Sequence, residues 1–213
     1  MDETTTREKI LKSIRNALID KASNPFPDVE FESSVYQPLK ESIDVTFAQE
    51  FTKVAGKFIY CEDESDMAGK LKFVIHNNKL ENVFCFEDSL KRLLEEHEIP
   101  FNYQPAEILN AMAGVTHCEF LIARFGSIMI SSRQLSGRRL NIYPETHIVI
   151  AKTSQLVPDI KDALKKIKQK YEGDMPSVVS VITGPSRTAD IEKTLVMGAH
   201  GPKQLFLLLV EDN

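Results

Sequence analysis

Apolar and polar positions along most of this chain alternate between a strand-like and a helix-like period. From residue 46 onward, short apolar runs are separated by amphipathic segments. The predicted elements are a helix at 46–55, a strand at 57–61, a helix at 65–77, a strand at 82–86 and a helix at 89–97. Alternation of this kind predicts right-handed βαβ units. The expected fold class is therefore α/β, with a mainly parallel, mixed sheet and helices on both faces.

The middle of the chain departs from this regular alternation. Strand-like runs at 127–130 and 147–151 are separated by too few residues for a full crossover helix. We therefore expect these strands to pair through a hairpin-like turn, which would make the sheet mixed. An amphipathic helix at 161–171 follows, and its lysine-rich outer face is interpreted as solvated surface.

The first 45 residues have a different character. Residues 4–20 carry Ile10, Leu11, Ile14 and Leu18 at helical spacing, whereas the prolines at 21–45 exclude a regular helix. We expect two parts, an N-terminal helix with an irregular connector at 1–45 and an α/β domain at 46–213. The apolar stripe of the helix either packs on its own domain or forms a surface for a partner, and the pattern does not decide between these.

The last part of the chain, 178–210, reads as strand, loop, helix, turn and strand. Its two apolar runs, 178–182 and 205–210, are typical of parallel strands buried on both faces. Residues 184–188 are expected to begin the helix, at the carboxyl end of a central strand. Ser186 or Thr188 would cap it, with Asp190 and Glu192 in its first turns.

The same loop also suits an anion. Free backbone amides at Gly184 and Ser186, with the Arg187 guanidinium beside them, are the groups that hold anionic ligands in open α/β sheets. After the predicted helix, His200 precedes Gly201 and either transfers protons or only fixes the turn. Both interpretations of each feature stay open.

A second candidate region is rich in arginine. The window 124–143 holds Arg124, Arg133, Arg138 and Arg139 and no acid, and with Arg187 it accounts for five of the eight arginines of the chain. Arginine suits bidentate contact with carboxylate or phosphate. The window therefore indicates a site for an anionic ligand or an acidic partner, unless it is only a mobile basic loop.

The run Gly-Pro-Ser-Arg-Thr-Ala-Asp-Ile-Glu at 184–192, followed by Gly-Ala-His-Gly-Pro at 198–202, resembles the signature of the LUD domain, the family of lactate-utilisation protein C. The resemblance extends more weakly back to about residue 46. It implies the architecture shared by ribose-phosphate isomerase, glucosamine-phosphate isomerase and CoA transferases, although a shared fold does not transfer an activity. Family members commonly have glutamate where this chain has Arg124, so only the position of Arg124 corresponds, and its role does not.

The resemblance implies a subunit that supports L-lactate oxidation to pyruvate together with iron–sulfur partner proteins. The alternatives are a free-standing enzyme that binds a phosphorylated sugar or an acyl-CoA, and a non-catalytic assembly or regulatory module. The clusters are expected in the partner subunits and no cofactor in this chain, because Cys61, Cys85 and Cys118 are far apart and are interpreted as reduced core residues.

Composition narrows the choice further. The formal net charge of −5 argues against nucleic-acid or membrane-surface partners. An apolar signal region and a stretch of membrane-spanning length are both missing from the sequence, so a cytoplasmic location without membrane insertion is expected. The sequence also lacks phosphate-binding glycine loops, the serine-hydrolase elbow and paired metal-ligating motifs, and no metal site is predicted.

Overall fold

The computed structural model describes residues 5–19, 26–29, 36–191 and 194–212. The chain divides into two compact units, Met1–Pro38 and Leu39–Asn213. The helices of the described residues are α1 (Thr6–Ile19), α2 (Ile43–Lys53), α3 (Glu64–Asn77), α4 (Asp88–Glu96), α5 (Gly137–Leu140) and α6 (Ile160–Lys170). Short 3-10 helices lie at Pro105–Asn110, Ala123–Phe125 and Thr153–Gln155.

The strands fall into a main sheet, a second sheet and a hairpin. They are β1 (Lys57–Cys61), β2 (Val83–Phe84), β3 (Ala113–Thr116), β4 (Phe120–Ile122), β5 (Ser127–Ser131), β6 (Thr146–Lys152), β7 (Leu156–Val157), β8 (Val179–Ile182), β9 (Arg187–Ile191), β10 (Thr194–Met197) and β11 (Gln204–Val210). The main sheet is parallel with the order β1-β11-β6-β3-β2, and the second sheet is mixed with the order β7-β4-β5-β8.

The first unit contributes helix α1, which begins with a reciprocal capping arrangement. The Glu8 amide donates to the Thr5 hydroxyl at 3.3 Å, and the Thr5 amide donates to the Glu8 carboxylate at 2.9 Å. This exchange satisfies amides that the first turn leaves free. The predicted helix at 4–20 is thereby confirmed within the described residues.

The core of the second unit lies on both faces of the main sheet. One face packs against α3 and α4 through residues such as Leu71 and Leu90. The other face packs against α2, through Phe47 and Phe51, and against the second sheet. β11 is central and buried because its run of leucines fills both faces. The α/β class with a mainly parallel sheet and helices on both faces is confirmed.

Two predictions about the strands are wrong. β8 is not a parallel strand buried on both faces, because it pairs antiparallel with β5 at the edge of the second sheet. Its side chains are only partly buried, and Val181 is 41% exposed. β5 and β6 do not form a hairpin, because β5 belongs to the second sheet and β6 to the main sheet. The segment between them, which includes α5, connects the two sheets. An apolar run does not by itself specify which sheet a strand joins.

The helix predicted after Gly184 is also wrong. Arg187–Ile191 and Thr194–Met197 form the antiparallel strand pair β9–β10 instead. The helix propensity of this segment is outweighed by the backbone pairing of these two strands. The capping roles expected for Ser186 and Thr188 therefore do not apply. Among the described residues, no helix is long and apolar enough to cross a membrane.

Candidate functional site

A cavity of about 330 Å³ lies where the loop after β8 meets the first residues of β6 and β11. We call it the motif cavity. It is lined by Asn141, Ile142, His147, Ile182, Thr183, Gly184, Pro185, Ser186, Arg187, His200, Gly201, Pro202 and Leu205. It opens at the amino ends of two central strands of the main sheet, whereas the sequence predicted a site at the carboxyl end of a central strand. That prediction is wrong because β8 belongs to the second sheet.

Backbone hydrogen bonds join the two halves of the sequence motif. The Ser186 amide donates to the Pro202 carbonyl at 2.9 Å, and the Gly198 amide donates to the Ser186 carbonyl at 3.0 Å. The Thr183 and Ser127 hydroxyls lie 2.8 Å apart, so the loop is also joined to the start of β5. The amides that sequence reasoning left free for an anion are therefore partly used, and the Ser186 amide is bonded within the protein.

Glycine is required at position 184. Its φ of +73° lies in the left-handed region, and a Cβ there would stand 2.2 Å from the Val54 carbonyl oxygen. The Arg187 Nη2 donates to that same carbonyl at 2.6 Å. The close approach at Gly184 and this hydrogen bond place the loop against Val54, the residue that follows α2. The hydrogen bond uses one of the five N–H donors of the Arg187 guanidinium.

His147 is the buried titratable group of the cavity. Its ring is fully buried, and Nε2 lies 2.8 Å from the Thr116 hydroxyl oxygen. Nδ1 has no hydrogen-bond partner among the residues that the structure describes. Burial lowers the pKa of His147 to about 4, so the ring is neutral near pH 7. A neutral ring presents Nδ1 as a donor or as an acceptor, according to which nitrogen pairs with Thr116.

Asn141 contributes a second unused polar atom. Its Nδ2 donates to the Gly137 carbonyl at 3.1 Å across α5, while its buried Oδ1 has no partner among the residues that the structure describes. A buried polar atom without a hydrogen bond carries a free-energy cost of about 1–3 kcal/mol. Both residues line the motif cavity, and buried polar atoms of this kind are normally paired with protein or with ordered water. The cavity thus combines a guanidinium with neutral hydrogen-bonding groups, which suits a small anion.

The structure brings together five of the residues that the sequence singled out. Gly184, Ser186, Arg187, His200 and Gly201 all line the motif cavity, and His200 is solvent-exposed at its edge.

Three other predicted residues do not line this cavity or cannot be placed in it. Thr188 is paired within the hairpin opposite Val196. Asp190 lies in β9, and Glu192 lies outside the described residues.

The arginine-rich window does not form a single site. Arg124 Nε donates to Asp159 Oδ1 at 2.5 Å, which joins the 3-10 helix at Ala123–Phe125 to the start of α6. Arg133 is paired with Asp174. Arg138 and Arg139 line a different cavity of about 400 Å³ between α4 and α5, which we call the arginine cavity. The four arginines were expected to contribute to one site, but they lie in different parts of the folded chain.

Sequence reasoning missed His147 and Asn141. His147 directly precedes the apolar residues 148–151 of β6, and Asn141 stands between Leu140 and Ile142. A polar residue inside an apolar run is a signal, because its burial requires a partner. Neither residue is near the terminal motif in sequence, so their proximity to it depends on strand order.

The three cysteines are buried and unpaired. Burial raises the pKa of Cys61 to about 11 and that of Cys85 to about 12, and it also raises the pKa of Cys118. In the part of the chain that the structure describes, no group of His, Cys, Asp or Glu residues is arranged to hold a metal ion. These residues do not fit an iron–sulfur cluster, which requires several thiolates together.

Comparison with known proteins identifies relatives of this chain. The family model of the LUD domain matches residues 45–210. The chain is 42% identical over 113 residues to "Lactate utilization protein C" of Bacillus licheniformis, covering 52% of this chain and 46% of that protein. It is 31% identical over 181 residues to the protein of the same name from Shouchella clausii, covering 82% of this chain and 78% of that protein.

The match to the Bacillus licheniformis protein spans about half of the length of that protein. The match to "Lactate utilization protein C" of Bacillus subtilis is similar, with 37% identity over 113 residues and 46% of that protein covered. Among solved structures, a DUF162 family protein from Deinococcus radiodurans is similar, with a TM-score of 0.60 and 18% identity over 79% of this chain and 96% of that chain. At this identity, the structural likeness supports the fold alone.

Proposed function

The chain belongs to the LUD domain family, and from this premise we propose that it acts in lactate utilisation, as a subunit that supports oxidation of L-lactate to pyruvate together with iron–sulfur partner proteins. The names of its relatives support the lactate role. The activity, the partners and the cytoplasmic location are parts of the proposal. The proposal also assigns the motif cavity as the site for a small anionic ligand.

One observation carries the assignment of the site. Residues of the family motif that are separated along the chain, from Gly184 to Gly201, close around one cavity. Two residues that line it, His147 and Asn141, each have a buried polar atom with no partner in the described part of the chain. A motif that served only to stabilise the turn would give no reason for two such residues to line the same cavity.

A 2-hydroxy or 2-oxo acid matches these groups chemically. Its carboxylate suits the remaining donors of Arg187, and its hydroxyl or keto oxygen suits the neutral His147 ring. A neutral histidine donates to a keto oxygen through its protonated ring nitrogen, or accepts from a hydroxyl through its unprotonated one.

In this proposal, the electrons from lactate leave through another protein. Cys61, Cys85 and Cys118 are buried separately and do not provide a ligand set for a cluster. We therefore propose that the redox centres belong to the partner subunits and that this chain binds the anion or docks those subunits. The purified chain alone is then expected to show no lactate oxidation.

Growth on L-lactate tests the role of the cavity. A host strain that lacks this chain should grow poorly on L-lactate and normally on pyruvate, and the wild-type chain should restore growth. Arg187→Ala should restore growth poorly while it accumulates as a folded protein, because the Arg187 side chain is exposed. Arg92→Ala, which removes another exposed arginine on α4, is the matched control and should restore growth fully. Normal growth of the deletion strain on L-lactate would contradict the lactate role.

Affinity purification tests the partners. The tagged chain, purified from its native host, should bring with it proteins that show iron–sulfur absorbance and lactate-dependent reduction of an acceptor dye. The recombinant chain by itself should show neither property. A colourless, partner-free and inactive preparation from the host would contradict the subunit proposal and would favour a free-standing enzyme.

A further inference from the structure

The arginine cavity is distinct from the motif cavity and has a different chemistry. It measures about 400 Å³ and lies between α4, the 3-10 helix at Pro105–Asn110 and α5. It is lined by Phe86, Lys91, Tyr103, Pro105, Ile108, Leu135, Ser136, Gly137, Arg138 and Arg139. Its lining thus combines cations with aromatic rings.

The charges of this lining are all positive. Arg138 and Arg139 are exposed, and neither side chain makes a hydrogen bond or an ion pair with any residue that the structure describes. Lys91 Nζ lies 2.6 Å from Asp88 Oδ1, but the Asp88 side chain is 67% exposed and does not line the cavity. The whole chain has a formal net charge of −5, so the sign of the charge at this cavity is opposite to that of the chain. It favours a ligand with more than one negative charge.

The walls of the cavity provide flat apolar surface. The Tyr103 side chain is 54% exposed, and the Phe86 ring is packed edge-on against Phe84. Ile108 is buried in the same apolar cluster as Phe84, against which Phe86 packs. Lys91 Nζ stands 5.6 Å from the centroid of the Tyr103 ring, so positive charge and an aromatic face are adjacent. Exposed aromatic faces next to cations are the usual surface for stacking a planar ring whose other end is anionic.

Ser136 provides a second, independent indication of a ligand. The residue is only 2% exposed, and its buried hydroxyl oxygen has no hydrogen-bond partner in the described part of the chain. It lines this cavity two residues before Arg138. A buried hydroxyl is almost always hydrogen-bonded in a native protein, and a ligand oxygen would supply the missing partner here.

We propose that the arginine cavity binds a phosphorylated compound that carries a planar ring, of which a nucleotide is the common example. The phosphate groups contact Arg138, Arg139 and the Ser136 hydroxyl, and the ring lies against Tyr103. Arginine pairs suit phosphate oxygens in bidentate geometry, and the aromatic wall distinguishes a ring-bearing ester from free phosphate. This inference does not depend on the lactate role, because it uses no residue of the motif cavity.

Calorimetric titration of the full chain tests the proposal with ADP, inorganic phosphate and adenosine as probes. ADP should bind saturably, and phosphate or adenosine alone should bind at least about 10-fold more weakly, because each offers only part of the contacts. The variant Arg138→Ala/Arg139→Ala should lose at least about 10-fold in ADP affinity. The control Lys165→Ala/Lys168→Ala removes the same charge from the exposed face of α6 and should bind ADP as the wild type does.

Ser136→Ala separates a ligand contact from a structural role. The variant should melt at the same temperature as the wild type or higher in the absence of ADP, because it removes an unpaired buried hydroxyl, and it should bind ADP several-fold more weakly. Failure of ADP to bind, equal affinity for phosphate and ADP, or unchanged ADP affinity in the double arginine variant would each overturn the proposal. Arg187→Ala should leave ADP affinity unchanged, and a loss there would place the ADP site elsewhere and overturn it as well.

Discussion

The motif cavity and the arginine cavity are lined by neighbouring parts of the chain, residues 141–142 and residues 135–139, but are built in opposite ways. The motif cavity is enclosed by strand ends and backbone hydrogen bonds, and its distinctive groups, His147 and Asn141, are buried. The arginine cavity presents Arg138 and Arg139 as exposed side chains on a short helix. Buried groups contribute to stability and binding together, whereas exposed cations contribute to binding with little effect on stability. Substitutions in the two cavities should therefore separate these two properties.

The largest effect is expected from Gly184→Ala in the motif cavity. The new side chain meets the Val54 carbonyl and adopts an unfavourable left-handed conformation, so the free energy of unfolding should fall by about 3 kcal/mol. Gly173→Ala is the matched control, because Gly173 also has a positive φ, of +79°, but a Cβ at that position would meet nothing within 4 Å. It should cost about 1 kcal/mol. Urea unfolding measures both, and equal losses would contradict the close packing of the loop on Val54.

The next effect concerns His147 and pH. The pKa of this ring is about 4 in the folded protein and about 6.5 in the unfolded chain, so the unfolded chain binds more protons between these values. The corresponding stability is present above pH 6.5 and is lost as the pH falls toward 4. At pH 5 the loss should be roughly 2 kcal/mol relative to pH 7. His147→Gln should show a much smaller decrease, as measured by urea unfolding at each pH, and an identical decrease would show that other groups cause it.

A smaller effect is expected from Arg124, which contributes to neither cavity. The side chains of Arg124 and Asp159 are 19% and 22% exposed, so their pair is partly shielded from water. A double-mutant cycle of Arg124→Ala and Asp159→Ala should give a coupling free energy of about 1.5 kcal/mol. The exposed pair of Lys53 and Glu50 should give no more than about 0.5 kcal/mol. A coupling near zero for the Arg124 pair would remove the structural explanation for arginine at this position.

The smallest effect on stability is expected in the arginine cavity. Arg138→Ala/Arg139→Ala should change the free energy of unfolding by less than about 0.5 kcal/mol, because these exposed side chains have no partner within the described protein. The same variant is expected to lose ligand affinity. A large loss of stability would break the contrast between the two cavities, since it would show that these arginines have a structural role.

Local sequence features predicted many of the helices and strands. Apolar runs and helical periodicity, which depend on neighbouring residues alone, predicted the positions of α3, α4, α6, β1, β6 and β11. The motif residues Gly184, Arg187 and His200 were singled out by their type and spacing, and the structure places them around one cavity. The hairpin β9–β10 was not predictable in this way, because backbone pairing with the returning chain outweighs the local preference for a helix start.

The sequence by itself thus determined the α/β class, the buried character of β6 and β11, and the family. Tertiary structure decided which residues share a site. His147 and Asn141 join the motif cavity because β6 lies beside β11, and the arginines from Arg124 to Arg139 are distributed among ion pairs and a second cavity. The physical reason is that periodicity records which face of a segment is buried, whereas strand order and loop packing depend on contacts between residues far apart in the chain.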